Sequence, residues 1–177
     1  MSLLSPAVPR TIPTDVPAGR SRRKLVRRDR VSRRLAELDG IRALLVRAEA
    51  RVEHGWVQQA WLSYVDPLGV PRVTTATVLP PGVGQLAGVC LVSSVRLSGD
   101  GQQVDRALDL VWHTLHETDG AGWAAPPDVR LARVRDLARW NDQPGRTADE
   151  VIGLLAATEV TATGEMARLR SEAAATC

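Results

Sequence analysis

Asn141, Asp142 and Arg146 fall in one short stretch of a 177-residue chain, Trp140-Asn141-Asp142-Gln143-Pro144-Gly145-Arg146-Thr147. An amide, a carboxylate and a guanidinium in one loop can hold an anion or polarise a carbonyl. No nucleophile lies beside them in sequence, so a small polar binding site is the chemistry they suggest. The competing, preferred reading is a structural corner, in which Asp142 and Arg146 pair across the turn and Trp140 packs beneath it.

Other residue groups suggest chemistry less well. His113-x-x-His116-Glu117 has the spacing of two metal ligands on one helix face. On the helical wheel, however, His113 points away from the apolar stripe and His116 sits on its flank, so both are expected in solvent and no metal is expected. Gly82-Val83-Gly84-Gln85-Leu86-Ala87-Gly88 resembles a dinucleotide-type glycine turn opening a helix, but Pro80-Pro81 interrupts the approach and no βαβ unit surrounds it. The favoured reading is a flexible loop followed by a helix with a small-residue packing face. No P-loop, G-x-S-x-G or H-E-x-x-H motif occurs. No catalytic residue and no cofactor is expected.

Charge is the strongest functional signal. The chain totals +3, yet Arg20, Arg22, Arg23, Lys24, Arg27, Arg28, Arg30, Arg33 and Arg34 stand against Asp29 alone, a net +8 that leaves −5 for the remainder. Guanidinium forks match phosphate oxygens bidentately, and counterion release drives such arms onto nucleic acid. The arm lacks aromatic residues to stack bases, so sequence reading is not expected. An acidic protein surface and anionic lipid are the other partners considered, and a solvated tail the bland alternative.

These groups need elements to position them. Met1 to Gly19 carries Pro6, Pro9, Pro13 and Pro17 and reads as a disordered leader. The arm has only a thin apolar stripe (Leu25, Val31, Leu35, Leu38), and charge repulsion should fray it unless a partner is bound. A helix is predicted from Asp39, as cap, to His54, with Ile41, Leu44, Leu45, Ala48 and Val52 on one face and Gly55 at its end. Strands are predicted over 56–65 and 72–79, joined by the type I turn Asp66-Pro67-Leu68-Gly69. Three helices follow: 83–97, mostly apolar; Gly101 to about Thr118, opened by a capping box at Asp100 and Gln103; and a short one capped by Asp128, ending near Trp140. Pro144-Gly145 makes a tight turn, and Thr147-Ala148-Asp149-Glu150 reads as a capping box that launches a final helix on Val151, Ile152, Leu154 and Leu155. Beyond Thr158 the pattern dissolves, leaving Met166, Leu169 and the alanines near the end as candidates for a loose helix. Five Trp, one Tyr and no Phe make tryptophans the expected core anchors.

The run W-N-D-Q-P-G-R-T-A-D-E-V-I-G-L-L resembles the C-terminal signature of a family of small bacterial and phage proteins of unknown function. That family has W-N-D-x-P-G-R-T before a helix with E-V and L-L, preceded by an amphipathic helix ending in G-W, a hairpin, and a C-L-x-G-A helix. Gly55-Trp56 and Cys90-Leu91 match, and Ser93 departs from the family's glycine. The resemblance covers roughly 41–155. It implies a fold and a bacterial or phage origin, and lends no activity.

The fold expected is α+β and mainly α-helical: one small helical domain over 35–158 with a β-hairpin, a disordered leader and basic arm over 1–34, and a tail over 159–177. Two cysteines make no disulfide framework, and Cys90 reads as a buried free thiol. A cytoplasmic protein with no membrane span and no signal peptide is expected. The preferred function is a non-enzymatic accessory protein whose body is an interaction module and whose arm binds DNA or RNA without sequence preference. The alternatives are an assembly subunit, its arm docked on neighbouring copies in a homo-oligomer, and a small-ligand or enzyme site at Asn141, Asp142 and Arg146.

Overall fold

A computed structural model describes residues 19–76, 81–82, 85–116 and 124–175, with residues 19–24 described by backbone alone. The leader, Val83, Gly84, Glu117, Trp123 and Cys177 lie outside these residues. The chain is organised on one long helix, α1 (Gly19–His54). Its second half buries Leu38, Ile41, Leu44, Leu45, Ala48 and Val52 at helical spacing, the stripe expected from sequence with Leu38 added. The helix ends where expected. At Gly55 the backbone passes against Ala87 and Gly88 of a strand, so close that a β-carbon would collide with the Ala87 carbonyl. The start differs. Asp39 is no cap: it lies within α1 and pairs with Arg42 at 3.8 Å. Nothing between Arg34 and Gly40 breaks a helix, and a helix already nucleated by its packed half propagates easily through arginines. Residues 19–34 therefore continue α1, the helical form expected of the arm only when bound, with 25–30 exposed and Val31 and Arg34 half-buried.

The sheet is small and antiparallel, in the order β2-β1-β3, from β1 (Leu62–Val65), β2 (Pro71–Thr74) and β3 (Gln85–Val89). The hairpin turn forms as read. The Gly69 N–H donates to the Asp66 carbonyl at 2.9 Å, and Asp66 Oδ1 accepts from Leu68 and Val70. The Val70 N–H is the main cause holding the Asp66 carboxyl below its ordinary pKa.

β3 overturns one expectation. The apolar run 83–97 is not one helix: Gln85–Val89 is a strand, and only Leu91–Arg96 (α2) is helical. A buried apolar run has no diagnostic period. Gly88 favours the strand because a β-carbon there would press on Ser63, Val57 and Gly55. Cys90 then caps α2, its sulfur accepting from the Ser93 N–H at 3.4 Å, and burial raises its thiol pKa.

α3 (Gly101–Leu115) and α4 (Pro127–Asn141) follow. Two expected caps are corrected. Asp100 makes no side-chain cap; with Gly101 at φ +45, the first turn closes instead on the Asp100 carbonyl, which accepts from Gln103 and Val104. Pro126 is the N-cap of α4 and Pro127 its first residue, where proline loses no hydrogen bond, so Asp128 lies inside the first turn.

α5 (Ala148–Ala174) does not dissolve at Thr158. Thr158, Ala162 and Met166 continue a buried stripe of mostly small residues too weakly apolar to read from sequence. It runs antiparallel along α1: Arg42 meets Glu159 at 2.8 Å, and the charge of Arg34 reaches Glu165 further along. Helices and sheet share one core, with Trp56, Trp61, Trp112 and Trp140 half-buried at its edge rather than inside it.

Candidate functional site

The corner between α4 and α5 is built as the sequence suggests. Gly145 holds φ +83, which the turn requires. The Thr147 hydroxyl accepts from the Glu150 N–H at 3.2 Å, and the Glu150 carboxylate accepts from the Thr147 N–H at 2.9 Å. That N–H is the main cause holding Glu150 below its ordinary pKa; the Arg146 charge adds to it.

The side chains considered for chemistry are already engaged. Asn141 is fully buried. Its Oδ1 accepts from Trp56 Nε1 at 2.9 Å and from the Leu91 N–H at 3.1 Å; its Nδ2 donates to the Val57 carbonyl at 3.2 Å and to Asp142 Oδ1 at 2.9 Å. All four hydrogen-bonding positions of the amide are filled. Asp142 Oδ1 also accepts from the Gln59 N–H at 2.8 Å, which helps fix Gln59 at φ 57. Gln58 Nε2 donates to the carbonyls of Asn141 and Gln143, each at 3.0 Å.

Arg146 turns the other way. Its guanidinium lies 3.9 Å from the centre of the Trp140 ring, Nε donates to the Trp140 carbonyl, Nη1 to Glu150 at 2.9 Å and Nη2 to Gln143 Oε1 at 2.6 Å. The expected Asp142–Arg146 pair does not form, because the capping glutamate offers Arg146 a carboxylate one helical turn on. The structure thus brings Asn141 and Asp142 together and separates Arg146 from them. The arrangement is a clasp: it fastens the α4–α5 turn to the segment after α1 and to the start of α2.

The histidines are placed around Trp112. His116 is exposed and stacks on the indole at 4.2 Å, whereas His113 meets it edge-on at 5.4 Å and is half-buried, not solvent-facing as the wheel implied. Among the described residues no three His, Cys, Asp or Glu side chains come together. The glycine turn leads into β3 rather than a helix, so it lacks the helix N-terminus that a dinucleotide phosphate requires.

One polar centre escaped the sequence. Asp109 is fully buried on the core-facing side of α3 and receives Arg130 Nε at 3.3 Å, Arg133 Nη1 at 3.1 Å and the Ala125 N–H at 2.9 Å. Arg130 also reaches Asp105 at 2.8 Å and the Ala125 carbonyl. Two acids four apart in α3, Asp105 and Asp109, with arginines three apart on the next helix, were the available signal.

The arm presents the opposite situation. Leu25 to Arg30 and Arg33 are exposed along α1. Among the described residues, no ion pair involves Arg27, Arg28, Arg30 or Arg33, and Arg33 only donates to the Asp29 carbonyl of its own helix. Arg34 is tied down, to Glu37 at 2.7 Å.

A family model described as "Family of unknown function (DUF6197)" matches residues 36–160. No curated protein and no solved structure matches the chain.

Proposed function

The chain belongs to that family of unknown function over most of its length, and from this premise we propose a non-enzymatic accessory protein whose helical body presents a basic helix to nucleic acid. The observation that carries the reading is the exposure of Arg27, Arg28, Arg30 and Arg33 along α1, outside every ion pair of the described residues. At ~1.5 Å per residue, the helix from 19 to 34 is about 24 Å long. Its basic residues are spread around the helix rather than along one stripe, which suits attraction to backbone phosphates more than docking in one register. The remaining −5 of the chain gives the body no attraction of its own for phosphate. The bacterial or phage origin and the cytoplasmic location inferred from the sequence belong to the same proposal.

Fluorescence anisotropy with a random duplex and a random RNA over a salt series tests it. With about five arm cations on duplex phosphates, log K should fall against log salt with a slope of roughly −4 to −5. Replacing Arg27, Arg28, Arg30 and Arg33 by Gln in the full chain should abolish most of the affinity. Equal affinity before and after would sink the proposal.

A second reading, an assembly subunit, draws on one feature of the same helix: Leu25 and Val26 are 57% and 52% exposed side by side. Sedimentation of the full chain and of Leu25→Ser at equal concentration separates the readings. A self-associating parent converted to monomer by that change would favour assembly.

A further inference from the structure

A second cluster of arginines lies at the opposite end of α1. Arg47, Arg51 and His54, at spacing i, i+4 and i+7, line one wall of an open cleft of about 280 Å³; Leu86 and Val89 of β3 line the other. Ser98, just after α2, fixes the two guanidiniums. Its carbonyl accepts Arg47 Nε at 2.9 Å and its hydroxyl oxygen accepts Arg51 Nε at 3.1 Å. The hydroxyl proton is committed to the Ser94 carbonyl at 2.7 Å, which leaves the oxygen free to accept from Arg51. Ser98 and Ser94 are both buried, so the anchor is rigid.

Tying these helices together explains one donor on each arginine. It leaves the outer Nη groups of both without use: among the described residues no ion pair involves Arg47 or Arg51, and the neighbouring Asp100 takes part in none. Two guanidiniums held by Nε on a common anchor and lining one cleft leave their Nη donors for an oxyanion. The apolar wall lowers the local dielectric and strengthens such a contact. A volume near the lower limit of the ~300–1,000 Å³ typical of ligand sites restricts the guest to a small molecule.

We propose that this cleft binds a small organic oxyanion, a phosphate monoester or carboxylate carrying a short apolar group. Arg47 and Arg51 take the oxygens, Leu86 and Val89 the apolar part, and His54 stands at the mouth. The site is independent of the arm and lies within the span matched by the family.

The test uses the full ¹⁵N-labelled chain, titrated with phenyl phosphate, benzoate, inorganic phosphate and neutral phenol. Phenyl phosphate or benzoate, whichever headgroup the fork prefers, should give saturable shifts of the Leu86 to Val89 amides and of Arg51 Nε–H. Inorganic phosphate should bind more weakly and phenol should leave the fork unshifted. Arg47→Gln and Arg51→Gln should each weaken binding about tenfold, the loss expected for one charge-assisted hydrogen bond. If Arg51→Gln loosens the fold by releasing Ser98, Leu86→Ala, which leaves that anchor intact, must weaken the two aryl anions but not inorganic phosphate. The proposal falls if neither aryl anion gives saturable shifts, if the shifts map to residues 25–34, or if folded arginine variants bind as well as the parent.

Discussion

Arg146 and Arg27 are the same side chain in opposite circumstances. Arg146 stacks on Trp140 and donates from Nε, Nη1 and Nη2 to acceptors within six residues; Arg27 is exposed and makes no ion pair among the described residues. Arg130 and Arg133, gathered on Asp109, belong with the first. A guanidinium whose donors end on its own chain contributes to the fold, and one whose donors are left open is available to a partner. The family match over 36–160 includes Arg130, Arg133 and Arg146 and excludes the arm, so family membership lends nothing to the nucleic-acid reading.

The sharpest way to break this contrast is at Asp109. Removing one member of a buried pair strands the others, and two arginines converge here. Asp109→Ala should lower unfolding stability by about 3–5 kcal/mol, whereas Arg27→Ala should leave it within about 0.5 kcal/mol. Urea melts of both variants give the comparison. Similar values would mean that engagement does not separate the two classes.

Asn141 comes next. Its truncation to Ala leaves Trp56 Nε1 and the Leu91 N–H without an acceptor, and each buried orphan costs about 1–3 kcal/mol. We expect a loss on the order of 3 kcal/mol, together with a change in Trp56 fluorescence as its indole N–H is released. Unchanged stability and emission would show that the clasp holds without its central amide.

The local pieces of this architecture were legible, and the reason is their range. The Asp66–Gly69 turn, the Gly145 turn and the Thr147–Glu150 box each close within four residues, so residue type alone specifies them. The core stripe from Ile41 to Val52 is likewise periodic on one helix. What was not legible depends on partners far along the chain. Asn141 meets Trp56, Val57 and Leu91 only once four elements have assembled. Asp109 looked like a flaw in an apolar stripe until α4 brought Arg130 and Arg133 to it. β3 could not be told from a helix because its apolar run is buried, and the end of α5 hid its stripe in threonine and alanine. The Arg47–Arg51 fork was missed because both lie beside the core stripe, where arginine is unremarkable, and because Ser98, which aims them, is 47 residues from the nearer one.

A smaller effect tests the corner itself. Gly145→Val forces a β-branched residue to positive φ and should cost roughly 1–3 kcal/mol; Thr147→Val removes only the cap oxygen, a loss of about 1 kcal/mol. The capping carboxylate adds a pH signature. Glu150 titrates below its ordinary value, chiefly through the Thr147 N–H, so its contribution is complete above the usual carboxylate range and disappears as pH falls through the depressed value. Glu150 should therefore show a lower carboxyl midpoint than exposed glutamates in an NMR titration, with the Thr147 amide shifting in step. A midpoint at the ordinary value would deny the reciprocal bond.

The smallest stability change is expected at the arm, where the contrast is most exposed to failure. A chain beginning at Leu35 loses the nine basic residues and α1 up to Arg34, yet keeps Leu38 and every other buried residue of the helix. The ties it gives up include Arg34 to Glu37 and the charge of Arg34 on Glu165. Arg168 remains beside Glu165 at 2.7 Å and is the main cause of that glutamate's lowered pKa. Partly exposed pairs of this kind contribute about 0–1 kcal/mol, and removing a stretch of like charges relieves repulsion in the opposite sense. The two terms nearly cancel, so thermal melts of the shortened and full chains should coincide within a few degrees while anisotropy loses its salt-dependent binding. A shortened chain that no longer melts cooperatively would place the arm among the structural elements, its arginines then belonging with Arg130 and Arg146 rather than opposite them.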